Sequence, residues 1–291
     1  MKFHIAFLEA KNYRYGYLLD NACKYLCCGL ESLGHECTIG MNHLQSGRLN
    51  IIFGAHALRS QSDIDAIAAA GPYIVYQTER LGADGIKYWQ DKAQCERIYL
   101  NFLRRAAAVW EGVPSNMPVL HAYGIPCRLL LGGYHPALDE IVHKRTKDID
   151  FLFFGSITPH RRQMLQSLQQ RGFHTVTVFD ARAIFRNDLI ARTRVNLALR
   201  HDSTPGHLSW GRVCYLLNNR ALVTVERCVD QYWLEHCFPS ADTNEWIDLC
   251  EQTLTRVDRE AFAEEQFEQF RQMPFTDRLA QVLEGLSAAA A

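Results

Sequence analysis

IDFLFFGSITPHRRQMLQSL, residues 149–168, is the stretch that settles the fold class. IDFLFFGS is an apolar run of strand length that stops at a glycine and a serine. Thr158 then suits a helix N-cap and Pro159 the first helical position, so a helix opens almost as soon as the strand ends. A buried strand feeding a helix is half of a βαβ unit, the building block of parallel sheets.

The same alternation runs outward in both directions. Before it, HIAFLE, CTIG, NIIFG, YIVYQTE, AAVWEG and CRLLLGG read as strands separated by helical stretches such as Leu18 to Leu33 and Cys95 to Ala107. After it come HTVTVFD, VNLAL and ALVTVE. The polar segment ALDEIVHKRTKD, residues 137–148, interrupts the pattern and reads as a linker and hinge. Asn244 to Met273 reads as one long charged amphipathic helix, broken by Pro274 before a last helix. The expected organisation is α/β: an N-terminal domain over 1–140, a second over 148–245, and C-terminal helices over 246–291 packing back across both.

With 291 residues, 48% of them hydrophobic, the chain can bury a large core. Net charge is -1 and the pI about 6.9, which supplies no overall field for nucleic acid or an anionic membrane. The opening MKFHIAFLEAKNYRYG is too short in its apolar run for a signal peptide, and no segment approaches the length of a membrane span. Cytoplasmic location without stable membrane insertion is the expectation. The ten cysteines lie mostly inside apolar patterns, as reduced buried thiols do. Cys228, His236 and Cys237 lack a fourth zinc ligand and the usual spacing, so no metal site is expected.

In open α/β sheets ligands bind beyond the carboxyl ends of the strands. Residues 155–162 place His160, Arg161 and Arg162 in the first turn of a helix, where cations oppose the dipole. An anion bound at that terminus would remove the misfit; the alternative is that the arginines reach solvent or a neighbouring carboxylate. NLALRHDSTPGHLSWGR, residues 196–212, concentrates Arg200, His201, Asp202, Ser203, Thr204, His207 and Arg212 after another strand. Pro205 and Gly206 allow a tight turn there, whereas the two histidines could equally be surface residues. Arg212 leans back over the strand ends, because helical side chains point toward the amino end. Glu226, closing ALVTVE, suits the hydroxyls of a ribose or a sugar.

DIDFLFFGSITPHRRQMLQSLQQRG at 148–172, LIARTRVNLAL at 189–199 and HLSWGRVCYLLNNRALVTVE at 207–226 together resemble the donor-binding half of GT-B glycosyltransferases, in particular a bacterial group of small family-1-like enzymes. YIVYQTERL at 73–81, AAVWEGVPSN at 107–116 and LLLGGYHPAL at 130–138 resemble strand-end motifs of the other half. The resemblance implies two Rossmann-like domains facing each other across a cleft. It implies that Gly155, Ser156 and Arg161 line a donor diphosphate, that Arg212 neutralises it, and that Glu226 holds the ribose or sugar. One position departs: Ser209 stands where relatives carry a carboxylate, three residues before the helix arginine, and its task would pass to His207 or Glu226.

The reaction implied is transfer of a sugar from a nucleotide-sugar donor, the co-substrate, to an acceptor hydroxyl without a bound metal or cofactor. Glu79, His56 and Glu9 are the candidate bases, each at a strand end, though each could be structural. Two other classes fit less well. A nucleotide-dependent oxidoreductase would use Asp180 for a ribose, but GSITPH supplies one glycine where G-x-G-x-x-G is wanted. A non-catalytic nucleotide- or glycan-binding module of the same shape would explain Ser209.

Overall fold

The computed structural model describes all residues except 9–19, 59, 83, 84, 87–90, 180, 205, 285 and 287–291. The chain forms two compact units, Met1–Gly132 with Phe275–Ala291, and Gly133–Pro274.

The first unit carries strands β1 (Lys2–Phe7), β2 (Glu36–Met41), β3 (Leu49–Phe53) and β4 (Tyr73–Gln77), a small hairpin of β5 (Leu81–Gly82) and β6 (Gly85–Ile86), then β7 (Ala108–Glu111) and β8 (Arg128–Leu129). Six of these form one parallel sheet in the order β2-β1-β3-β4-β7-β8. Central strands β3 and β4 are buried at every residue, as helices on both faces demand, whereas edge strand β2 has no fully buried residue. The helices are α1 (Asp20–Ser32), α2 (Gln61–Ala69), α3 (Lys92–Cys95), a π turn over Glu96–Leu100, α4 (Asn101–Arg105) and α5 (Met117–Ala122). Ser60 caps α2 by accepting from the Asp63 amide.

The second unit repeats the plan with β9 (Ile149–Phe154), β10 (Thr175–Val178), β11 (Thr193–Ala198), β12 (Val223–Glu226) and β13 (Ser240–Ala241), all parallel, in the order β10-β9-β11-β12-β13. Helices α6 (Pro159–Gln170), α7 (Ala183–Arg192) and α8 (Trp210–Asn218) connect them, and α9 (Thr243–Thr255) and α10 (Arg259–Arg271) follow. Counted along each sheet's own strands, the first has the order 2-1-3-4-5-6 and the second 2-1-3-4-5, the winding of doubly wound folds, which opens a crevice where the strand order reverses, between β9 and β11 in this unit.

Three expectations change. The segment 137–148 is no free linker: Leu138 and Ile141 are buried, and the Glu140 and Ile141 amides donate to Asn219 Oδ1 at 2.8 and 2.9 Å. His143 Nε2 lies 2.7 Å from the Asn219 carbonyl, so this stretch serves the carboxyl end of α8. The division between units falls at Gly132 and Gly133 instead. The long helix over 244–273 is two helices, because the chain turns extended at Arg256 (φ -55°, ψ 134°) and Arg256 chelates Asp258. The C-terminal helices also divide: α9 and α10 stay with the second unit, while α11 (Phe275–Leu283) belongs to the first. There Phe275 stacks on Tyr25 at 3.9 Å and fills the notch over Gly29, where a Cβ would meet its ring at 2.7 Å.

Candidate functional site

Thr158 Oγ1 accepts from the Arg161 amide and Pro159 opens α6, as the sequence dictates. What Arg161 does beyond that was not legible. Its Nε donates to the Arg200 carbonyl at 2.8 Å and its Nη2 to that of Leu199 at 3.0 Å. Nη1 donates to the carbonyl and hydroxyl of Ser156 at 3.0 and 3.1 Å. This buried guanidinium therefore ties the end of β9 to the end of β11 and forms the floor of the crevice. The expected direct grip of Arg161 on a phosphate gives way to a bracing role, with its charge still present.

Arg212, in the first turn of α8, is different. Its Nε and Nη1 are buried and have no hydrogen-bond partner among the described residues. The guanidinium carbon sits 4.9 Å from the Phe153 ring centroid and 5.3 Å from that of Phe154. Gly155 makes room for it: its φ is +143°, which other residues rarely adopt, and a Cβ would lie 2.5 Å from Arg212 Nη2 and displace the guanidinium tip. Burial, and then the charge of Arg161, push the Arg212 pKa down to about 9. An anion placed beside this glycine turn would meet both the idle donors and the charge.

Glu226 is fully buried. Its Oε1 accepts from Arg200 Nη2 at 2.8 Å and Thr243 Oγ1 at 2.7 Å, and its Oε2 from the Arg200 amide at 3.0 Å. His160 Nε2 lies 2.9 and 3.0 Å from the two oxygens. Burial alone would raise this carboxyl's pKa, but the bonds from His160, Thr243 and Arg200 outweigh it and hold it below the ordinary value. The expected contact of Glu226 with donor hydroxyls is corrected accordingly, since both oxygens are engaged by protein donors. Arg200 is likewise part of this buried network.

His207 Nδ1 lies 3.1 Å from Asp230 Oδ2, whose other oxygen accepts from the Leu208 amide at 2.7 Å. Asp230 was not singled out in the sequence, because nothing in its spacing ties residue 230 to 207. Ser209 is exposed at the N-cap of α8 and makes no capping bond with its side chain. Ser156 is exposed beside Gly155. Glu9, Asp180 and Pro205 lie outside the described residues.

In the first unit the structure brings together two of the three candidate bases: His56 Nε2 is 3.9 Å from Glu79 Oε1, both partly exposed. The backbone of Glu79 is fixed by Asn116 Nδ2 on its carbonyl at 2.8 Å and by Gln77 Oε1 on its amide at 3.1 Å. Asn116 Nδ2 also donates to Glu111 Oε1 at 3.1 Å, and the Val113 amide does so at 2.7 Å. Glu111 is fully buried and its Oε2 has no partner, so burial pushes its pKa well up despite those bonds. This polar layer was another omission, since AAVWEG reads as an ordinary strand end.

Among the described residues no group of three His, Cys, Asp or Glu side chains is placed to hold a metal ion, and no helix is long and apolar enough to cross a membrane.

No protein-family model matches the sequence, and no curated protein matches it in sequence. Solved structures do match. AviGT4, a glycosyltransferase involved in avilamycin A biosynthesis, is similar over 98% of this chain and 97% of its own, with a TM-score of 0.60 at 10% identity. A UDP-forming α,α-trehalose-phosphate synthase from Burkholderia xenovorans is similar over 97% and 80% (TM-score 0.57, 8% identity). A DNA-modifying β-glucosyltransferase, solved with and without uridine diphosphoglucose, is similar over 99% and 100% (TM-score 0.57, 10% identity). The chain thus has the α/β fold of GT-B glycosyltransferases along nearly its whole length. At these identities the likeness is one of fold.

Proposed function

We propose that the protein is a glycosyltransferase that moves a sugar from a nucleotide-sugar donor to an acceptor hydroxyl, with the donor phosphate held on the second unit. The observation that carries this reading is the buried, hydrogen-bond-deficient guanidinium of Arg212 against Gly155 at the carboxyl end of β9. A phosphate there supplies the missing acceptors and the missing charge, and Arg161 adds positive potential from behind. The fold supports the same conclusion, because the similar structures are glycosyltransferases or sugar-phosphate synthases, and one was solved with a uridine diphosphosugar.

During transfer the bond from the anomeric carbon to the phosphate oxygen breaks and a bond to the acceptor oxygen forms. Arginine charge stabilises the departing phosphate, and a base takes the acceptor proton. We assign that base to Glu79 with His56 alongside, because the layer of Gln77, Asn116 and Glu111 fixes the Glu79 backbone while leaving its carboxylate partly exposed. His207, oriented by Asp230, takes the place of the carboxylate that Ser209 lacks.

The test is a panel of nucleotide sugars assayed for donor hydrolysis and transfer, with thermal shift in parallel. Sugar release by the wild type and its loss in Glu79→Gln with nucleotide binding retained are expected. Binding without turnover across the panel would make the chain a binding module, and indifference to every nucleotide sugar would refute the reading.

A further inference from the structure

A cavity of about 460 Å³ flanks β13, at the edge of the second sheet and apart from the crevice between β9 and β11. That volume lies within the range of small-molecule sites. One wall is α10, whose Phe262, Glu265, Gln266 and Gln269 recur at the i, i+3, i+4, i+7 spacing of a single helix face. The other is the stretch leading into β13, with Phe238 and Pro239 and, on the preceding turn, His236. Gln266 is the misfit. It is 3% exposed, and its Nε2 and Oε1 are both buried without a hydrogen-bond partner among the described residues. A helix that needed only an apolar inner face would carry leucine there, because an amide with neither donor nor acceptor met is a cost that an apolar side chain of similar size removes.

The walls set the class of ligand. The Gln266 amide offers a donor and an acceptor side by side, and its complement offers the same pair. Gln269 and Glu265, both exposed, add a second amide and a carboxylate on the same face. Phe262 is steadied by the Arg256 guanidinium, 4.0 Å from its ring centroid, and with Phe238 and Pro239 it adds apolar surface. Glu265 and the lack of lysine or arginine among the described lining residues disfavour an anion. Every hydroxyl of a sugar both donates and accepts, and the C–H face of its ring suits the negative face of an aromatic ring. We propose that this cavity binds a neutral sugar, one or two units of a glycan, with the Gln266 amide bonding two adjacent hydroxyls and the aromatic walls taking the C–H face. None of its lining residues belongs to the group around Gly155, Arg212 and Glu226, so the inference stands apart from the donor assignment.

Ligand-observed NMR and calorimetric titration of the full chain test this with glucose, galactose, N-acetylglucosamine, maltose and cellobiose, and with uridine as a neutral base-bearing control. The wild type should bind at least one of the sugars and prefer it to uridine. Gln266→Leu should weaken that sugar by roughly 10- to 30-fold, the loss of two hydrogen bonds, and should melt at or above wild type when no sugar is present. Gln269→Ala changes an exposed position, should weaken the sugar by a few fold, and decides the matter if the leucine variant fails to fold. Arg212→Gln separates this cavity from the donor site: sugar binding should survive it, and nucleoside diphosphate binding should survive Gln266→Leu. A sugar lost in Arg212→Gln and kept in Gln266→Leu belongs to the donor site, which overturns this inference and leaves the proposed function standing. Binding of none of the five sugars, sugar binding unchanged in both glutamine variants, or a preference for uridine that Gln266→Leu abolishes overturns it as well.

Discussion

Replacing Arg212 by methionine should stabilise the ligand-free protein while removing its donor site. Methionine matches the length and flexibility of the arginine stem and keeps contact with the Phe153 and Phe154 rings, but brings no charge and no N–H to satisfy. The depression of the Arg212 pKa to about 9, well below the ordinary guanidinium value, corresponds to a cost on the order of 5 kcal/mol for keeping the guanidinium charged. Two cation–π contacts return roughly 0.5 to 2 kcal/mol each, and solvent reaching the partly buried residue screens part of the rest. A net gain of about 1 to 2 kcal/mol on substitution remains, or roughly 2 to 8 °C in Tm. The assay is a thermal melt at pH 7.5 with and without a nucleoside diphosphate. The variant should melt higher than wild type without nucleotide and show no shift with it, whereas wild type should gain from the ligand. The unfolded chain holds that proton more tightly than the folded one, so the wild-type deficit should shrink as pH rises above about 9. A variant that melts at or below wild type while keeping the nucleotide shift would refute the reasoning, because the guanidinium would then have had its partners.

Glu226→Gln should act in the opposite way, lowering stability by about 2 to 4 kcal/mol in chemical denaturation because Arg200 and His160 lose their buried counter-charge; a loss of donor binding at unchanged stability would instead restore the ligand role. The Glu226 pKa is depressed, so this contribution is fully present above the ordinary carboxylate range and is lost as pH falls below that range through the lower folded value. Glu111→Gln reverses that sign: the raised pKa means that wild type loses stability as pH climbs above about 4.5, so the two proteins should be alike in acid and the variant the more stable near pH 8. Parallel stability curves across that range would show that Glu111 is not a buried acid of this kind.

What the sequence made legible was whatever depends on near neighbours. Short apolar runs gave every strand of the two sheets but β13, which is two residues long and has no periodicity to read. Thr158 and Pro159 gave the start of α6 because capping is local. The break at Arg256 was hidden because neither glycine nor proline marks it, and Val257 sustains an apolar rhythm while lying exposed. For the site, Gly155 and Arg212 could be read from their places after a strand and in a first helical turn. The partners of Arg161 and Glu226 could not. Whether an arginine is braced or idle depends on carbonyls and carboxylates some 26 to 39 positions away, brought together by the register of parallel strands. Arg186 carried no signal at all, since an arginine within a helix usually reaches solvent.

The contrast among these arginines carries an argument of its own. Arg161, Arg186, Arg200 and Arg212 gather around the carboxyl ends of β9 and β11, against the carboxylates Glu226 and Asp230 and, by way of Tyr215, Glu140. Arg200 is bonded to Glu226, and Arg161 to backbone carbonyls and Ser156. A fold selected for stability alone would have matched Arg212 with an acidic partner or replaced it by an apolar side chain, since a buried cation without a partner costs more than either. Idle buried N–H donors occur on Arg186, Arg200 and Arg212, and the guanidinium of Arg212 is steadied by the Phe153 and Phe154 rings. Charge and hydrogen-bond deficit coincide at the crevice where doubly wound sheets bind ligands. A diphosphate brings both what the charge balance lacks and what the hydrogen-bond balance lacks, which a neutral sugar or base alone does not.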